Sequence, residues 1–148
     1  MKYRSFQEAL NFAIGREQAA NSFYRLLAER ARQPATRAMF EELAGQEHQH
    51  QERLEGLAAM DVAWRKPVEI TTGEPDGTRD VAFDPEMDFV AALRLAIHKE
   101  EDSVKLYESL GREAGDALLK KLFSALVEQE QGHRTRLQEE LDSVVLRD

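Results

Sequence analysis

The sequence predicts an all-α protein, a four-helix bundle made of two repeated helical hairpins joined by a long crossover. Three observations lead there. Ala, Leu, Glu, Gln and Arg dominate, and these favour helix, while eight Gly and four Pro in 148 residues are few for a β-rich chain. Apolar residues recur at helical period in four stretches. The chain also aligns with itself, without a gap, when shifted by 83 residues.

The first helix is expected over roughly 5–31, with Phe6, Leu10, Ala13, Ile14, Tyr24, Leu27 and Ala31 on one face. The second, roughly 35–60, carries Phe40, Leu43, Leu54 and Leu57, and Pro34 suits its first turn. The third, roughly 86–113, carries Phe89, Leu93, Ala96, Ile97, Tyr107 and Leu110, with Asp84 and Pro85 as its start signal. The fourth, roughly 116–144, carries Leu119, Leu122, Phe123, Leu126, Leu137 and Leu141, with Asp116 as N-cap. Residues 32–35 and 113–116 are tight turns, so each helix pair forms an antiparallel hairpin. The stretch of about 62–85 holds Pro67, Gly73, Pro75, Gly77 and Pro85, with a β-leaning run at Val68–Thr72. It is long enough to cross a bundle of helices of ~25 residues, each roughly 37 Å. Trp64 would anchor this crossover to the side of the bundle. A length of 148 residues fits one domain with its own core, so a single domain over 1–148 is expected.

The composition excludes several classes of function. Twenty Lys and Arg against 28 Asp and Glu give a formal charge of -8, which repels nucleic-acid backbones. No apolar run approaches the ~20 residues of a membrane span. The opening residues, Met1 to Glu8, lack the apolar stretch of a signal peptide, so a cytoplasmic location is expected. There is no cysteine, hence no disulfide, zinc ribbon, iron–sulfur cluster, thiol catalysis or Cys₄ centre in this chain.

The repeat carries the chemistry. Residues 5–58 and 88–141 share 16 identities over 54 aligned positions. The apolar matches could reflect shared helix period. The polar ones could not: Glu17 falls on Glu100, Tyr24 on Tyr107, Glu47 on Glu130 and His50 on His133. Glu17 lies three residues after Ile14 and seven before Tyr24, nearly two full turns, so it faces the core. Glu100 and Tyr107 repeat that spacing. The inward register of helix two runs Phe40, Leu43, Glu47, His50, Leu54, and that of helix four Phe123, Leu126, Glu130, His133, Leu137. Each Glu-x-x-His pair therefore lies on one helix face, where both side chains can reach one ion.

Four inward carboxylates cannot stay bare and charged in a helical core; each costs several kcal/mol or becomes neutral. No Lys or Arg falls in the inward registers. Two divalent cations would balance the four negative charges, and neutral His50 and His133 would add nitrogen donors. Oxygen donors with one imidazole per ion suit iron or manganese better than metals that prefer soft ligands.

A Glu from each of two helices plus Glu-x-x-His from each of the other two is the ligand set of ferritin-like di-iron and di-manganese bundles. The stretches Ala13–Tyr24 and Phe40–His50 resemble the ligand helices of the rubrerythrin-like branch of the ferritin-like di-iron carboxylate superfamily. The resemblance spans both hairpins and implies a ferritin-like fold holding two Fe ions, with Mn or Zn as substitutes. It implies that Glu47 and Glu130 bridge the ions or chelate one each. Glu17 and Glu100 would be terminal ligands, His50 and His133 would complete one ion each, and Tyr24 and Tyr107 would donate to the carboxylates. It further implies an oxidoreductase that reduces peroxide or oxidises Fe(II), with H2O2 or O2 as oxidant, an external electron donor protein, and a homodimer. Two departures stand out. The chain has no Cys, so a rubredoxin domain is lacking, and Ser103 stands where rubrerythrins place an extra Glu. The expected centre is thus a symmetric six-ligand one, closer to that of bacterioferritins.

Plainer readings stand beside these. The inward Glu and His could form a hydrogen-bonded polar core without metal, although the duplication weighs against it. Tyr24 and Tyr107 could be ordinary core aromatics. His48 and His98 read as surface residues, and Glu41, Glu42, Glu101, Asp102, Glu139 and Glu140 as solvated faces. The alternatives in function are a non-enzymatic iron-storage protein of ferritin type, or a structural bundle with zinc or no metal. Storage ranks lower because shell-forming ferritins use a further C-terminal helix, and this sequence stops shortly after helix four.

Overall fold

The computed structural model describes residues 2, 3, 5–60, 68, 69, 84 and 86–147. Among them are four helices, α1 (Phe6–Arg30), α2 (Pro34–Ala59), α3 (Phe89–Glu113) and α4 (Ala117–Arg147). The two-residue strand β1 (Lys2–Tyr3) pairs with β2 (Val68–Glu69), all that is described of the β-leaning run. Trp64 and most of the expected crossover lie outside the described residues. The chain divides into two compact units, each built on one hairpin: Lys2–Val68 holds α1 and α2, and Glu69–Asp148 holds α3 and α4.

Local chemistry explains most of the helix ends. Ser5 has extended backbone angles and its Oγ accepts from Glu8 N at 3.2 Å, which satisfies one of the free amides of α1. Pro34 opens α2, where a missing N–H costs nothing. Asp116 caps α4 as expected, its Oδ1 accepting from Leu118 N at 2.6 Å. The start of α3 departs from expectation. Asp84 does not cap the helix; its side chain accepts from Glu86 N at 2.9 Å and its carbonyl from Met87 N at 2.9 Å. These bonds close a separate turn, and α3 begins only at Phe89, after Asp88. At its other end α4 runs three residues past the expected stop, because Val145, Leu146 and Arg147 include no helix breaker.

The predicted stripes form the core. Phe6, Leu10, Leu27, Phe40, Leu43 and Leu54 are buried in the first unit, and Leu93, Leu110, Phe123, Leu126 and Leu137 in the second. Each such side chain stabilises the fold by about 1.5–3 kcal/mol. Ile14, Ala31, Leu57, Phe89, Leu119 and Leu122 are only half-buried, since they lie toward the edges of their stripes or the helix ends. The repeat persists in three dimensions. Tyr24 stacks on Phe40 with ring centres 6.3 Å apart and an 18° angle, and Tyr107 on Phe123 at 6.3 Å and 23°. In the first unit Tyr3 packs against Phe12 at 5.6 Å and the guanidinium of Arg16 sits 5.9 Å over the same ring.

Two helix glycines offer a stability test. A Cβ added at Gly45 or Gly132 would meet nothing within 4 Å, and both positions are exposed. Glycine there only adds freedom to the unfolded chain. Gly45→Ala and Gly132→Ala are each expected to raise the unfolding free energy by about 0.4–1 kcal/mol in urea titrations.

Candidate metal centre

Each hairpin gathers two carboxylates and an imidazole. On α1, Glu17 faces inward because it continues the stripe of Leu10 and Ala13. On α2, Glu47 and His50 occupy the seam between Leu43 and Leu54. Nδ1 of His50 lies 3.7 Å from Oε1 of Glu17 and 3.9 Å from Oε1 of Glu47. The second hairpin repeats this: Nδ1 of His133 is 3.7 Å from Oε1 of Glu100 and 3.7 Å from Oε1 of Glu130. Within each triad, one donor atom per residue lies within 4.8 Å of the others. Glu17 and Glu100 are 2% exposed, Glu47 and His50 1%, His133 2% and Glu130 0%.

These separations are too long for hydrogen bonds. They fit donors to a shared ion: with each bond near 2.1 Å, two ligands can stand up to about 4.2 Å apart. The charges point the same way. Glu17, Glu47, Glu100, Asp102 and Glu130 are buried, and no Lys or Arg is buried among the described residues. Buried carboxylates surrounded by imidazole nitrogen and apolar side chains suit a divalent cation. The residues present therefore fit a metal, with oxygen donors in the majority and one nitrogen per triad.

The structure brings all six predicted ligand residues into these two triads. Tyr24 and Tyr107 are both 1% exposed, on the same helix faces as Glu17 and Glu100. His48 and His98 lie on the surface as expected, near Glu52 at 3.1 Å and Glu101 at 3.6 Å. One expectation fails. Asp102 is 3% exposed rather than solvated, while Glu41, Glu42 and Glu139 are exposed and Glu101 and Glu140 half-buried. Asp102 shares a second buried stripe of α3 with Leu106 and Ser109, and Arg112 donates to Ser109 Oγ at 3.0 Å. The repeat could not reveal this, because its aligned residue is the exposed Ala19.

Two matched helical hairpins, each holding Glu, Glu and His in its core, define a class of all-α protein whose buried carboxylates and imidazoles can hold a metal. The family model described as rubrerythrin matches residues 8–141, and the chain belongs to the rubrerythrin family. Among solved structures, a Thermotoga maritima protein named for the ferritin-like diiron-carboxylate class is 24% identical, with a TM-score of 0.80 over 93% of this chain and 95% of its own. A hypothetical protein from Pyrococcus furiosus is also 24% identical, with a TM-score of 0.77 over 97% of this chain and 92% of its own. These likenesses establish the ferritin-like, all-α fold, with four helices among the described residues. No curated protein matches the chain in sequence. No helix among the described residues is long and apolar enough to cross a membrane.

Proposed function

We propose that this chain is a di-iron carboxylate oxidoreductase that reduces peroxide with electrons from an external donor protein. The observation that supports it most is the duplicated triad, Glu17, Glu47 and His50 repeated as Glu100, Glu130 and His133. In this reading each triad holds one of two divalent cations. When bound, two divalent cations would offset the four ligand carboxylates, and an iron pair would supply two-electron redox chemistry. The protein's part is to hold, orient and exclude water. Glu17, Glu47 and His50 would hold one ion and Glu100, Glu130 and His133 the other, with carboxylate oxygens from the glutamates and one imidazole nitrogen from each histidine. Tyr24 and Tyr107, fixed by their stacks on Phe40 and Phe123, are the proposed hydroxyl donors that orient carboxylate oxygens. Reduction of H2O2 consumes two electrons and two protons and releases two waters, so the donor protein must deliver two electrons per turnover. We further propose that the protein works as a homodimer in the cytoplasm.

Ser103 favours a second reading, Fe(II) oxidation by O2. That residue leaves the donor set symmetric, without the added carboxylate of rubrerythrins. Stopped-flow mixing of the anaerobic, Fe(II)-loaded protein separates the two. A peroxidase oxidises its iron with H2O2 at least tenfold faster than with O2 at equal concentration. Fast reaction with O2 and turnover of added Fe(II) would instead establish the ferroxidase, and slow reaction with both would refute either. Size-exclusion chromatography tests the storage alternative, which requires a large shell where a homodimer is expected.

A further inference from the structure

The two triads match, yet their hairpins are not fastened alike. Asn21 lies four residues after Glu17 on α1, and its Nδ2 donates to the backbone oxygen of Ala44 on α2 at 2.7 Å. Ala44 stands three residues before Glu47. The bond is part-buried and crosses from helix to helix about one turn from both carboxylate ligands of the first triad. The 83-residue shift places Val104 on α3 and Val127 on α4 at the matching positions. A valine side chain donates no hydrogen bond. The second hairpin therefore cannot repeat the Asn21 bond at that level.

We propose that Asn21 is a positioning residue that makes the α1–α2 triad the tighter of two metal positions, so that this position fills first. The inference rests on the reading of the triads as a two-ion centre. A cation binds more tightly where its donors already stand at ligand spacing, because less ordering is left to the binding step. The Asn21 bond fixes the separation of α1 and α2 beside Glu17 and Glu47, and so the gap that His50 closes. The second triad stands at nearly the same spacing, 3.7 Å from His133 to each carboxylate, but without this fastening that spacing is held less firmly while the ion enters.

Cobalt(II) titration of the metal-free full chain under nitrogen tests this, read by visible absorption and by elemental analysis of the bound ion. The wild type is expected to take up two ions in two resolved steps. His50→Gln should remove the tighter step and His133→Gln the weaker. Asn21→Val copies the second hairpin, and Asn21→Ser leaves a side chain too short to span the gap. Both should weaken the first step about tenfold, as loss of a ligand's supporting partner does, and leave the second in place. A merely structural role would lower thermal stability and leave the ratio of the two steps unchanged. The proposal is overturned if either variant, folded by circular dichroism, keeps the wild-type ratio, or if His50→Gln removes the weaker step. Uptake of fewer than two ions by the wild type would refute the two-ion reading itself, a result distinct from the first two.

Discussion

Replacing both Glu47 and Glu130 by leucine is expected to reduce bound metal from two ions per chain to below one-tenth of an ion, and to stabilise the metal-free protein. The two effects have one cause. Both carboxylates lie in the apolar seam, at 1% and 0% exposure, with no buried Lys or Arg among the described residues. Their charge suits a cation and otherwise burdens the fold. Leucine has nearly the volume of glutamate and needs no counter-charge. Exchanging buried charge for well-packed apolar side chains commonly stabilises by about 1–4 kcal/mol. Thermal unfolding of the double variant, prepared metal-free, should therefore occur above that of the metal-free wild type, and added metal should not raise it. A variant that unfolds well below the metal-free wild type would show that these glutamates earn their place in the fold without an ion.

Removing the metal from the wild type is the second large effect. An ion that binds only the folded chain, at a free concentration about 1,000 times its dissociation constant, stabilises by about 4 kcal/mol. For a chain of this size each kcal/mol moves the midpoint by roughly 2–4 °C. Chelation should lower the Tm by roughly 8–16 °C for each ion removed, and readdition of Fe(II) or Mn(II) without oxygen should restore it. Calcium, which favours all-oxygen sites with more ligands than a triad offers, should restore little. Equal Tm values with and without metal would contradict a buried centre whose charge the ion neutralises.

Most of this architecture was legible in the sequence because two periodic signals coincide. Phe40, Leu43 and Leu54 mark the buried face of α2 by spacing alone, and Glu47 and His50 interrupt that face at its own period. A polar residue in an apolar register needs a reason, and its recurrence at Glu130 and His133 excludes accident. Three features were not legible, each for a physical cause. Asp84 and Pro85 spell a helix start, yet the same side-chain geometry closes the isolated turn that precedes Asp88. Asp102 sits two residues, or about 200°, from Glu100, outside the first stripe, and its burial comes from packing on a second face. The Asn21 bond ends on a backbone oxygen, and every residue has one, so no spacing announces it.

The central claim is that a duplicated hairpin carries more buried negative charge than it can hold without cations. The most direct test is the metal content of the protein purified from cells without chelator or added metal, measured by elemental analysis against chain concentration. The account predicts two transition-metal ions per chain, chiefly iron, with one ion lost when a residue of one triad (Glu17, Glu47 and His50, or Glu100, Glu130 and His133) is replaced and both lost when each triad loses a residue. A folded wild-type chain that carries no metal, and takes up none when Fe(II) or Mn(II) is supplied without oxygen, would contradict it.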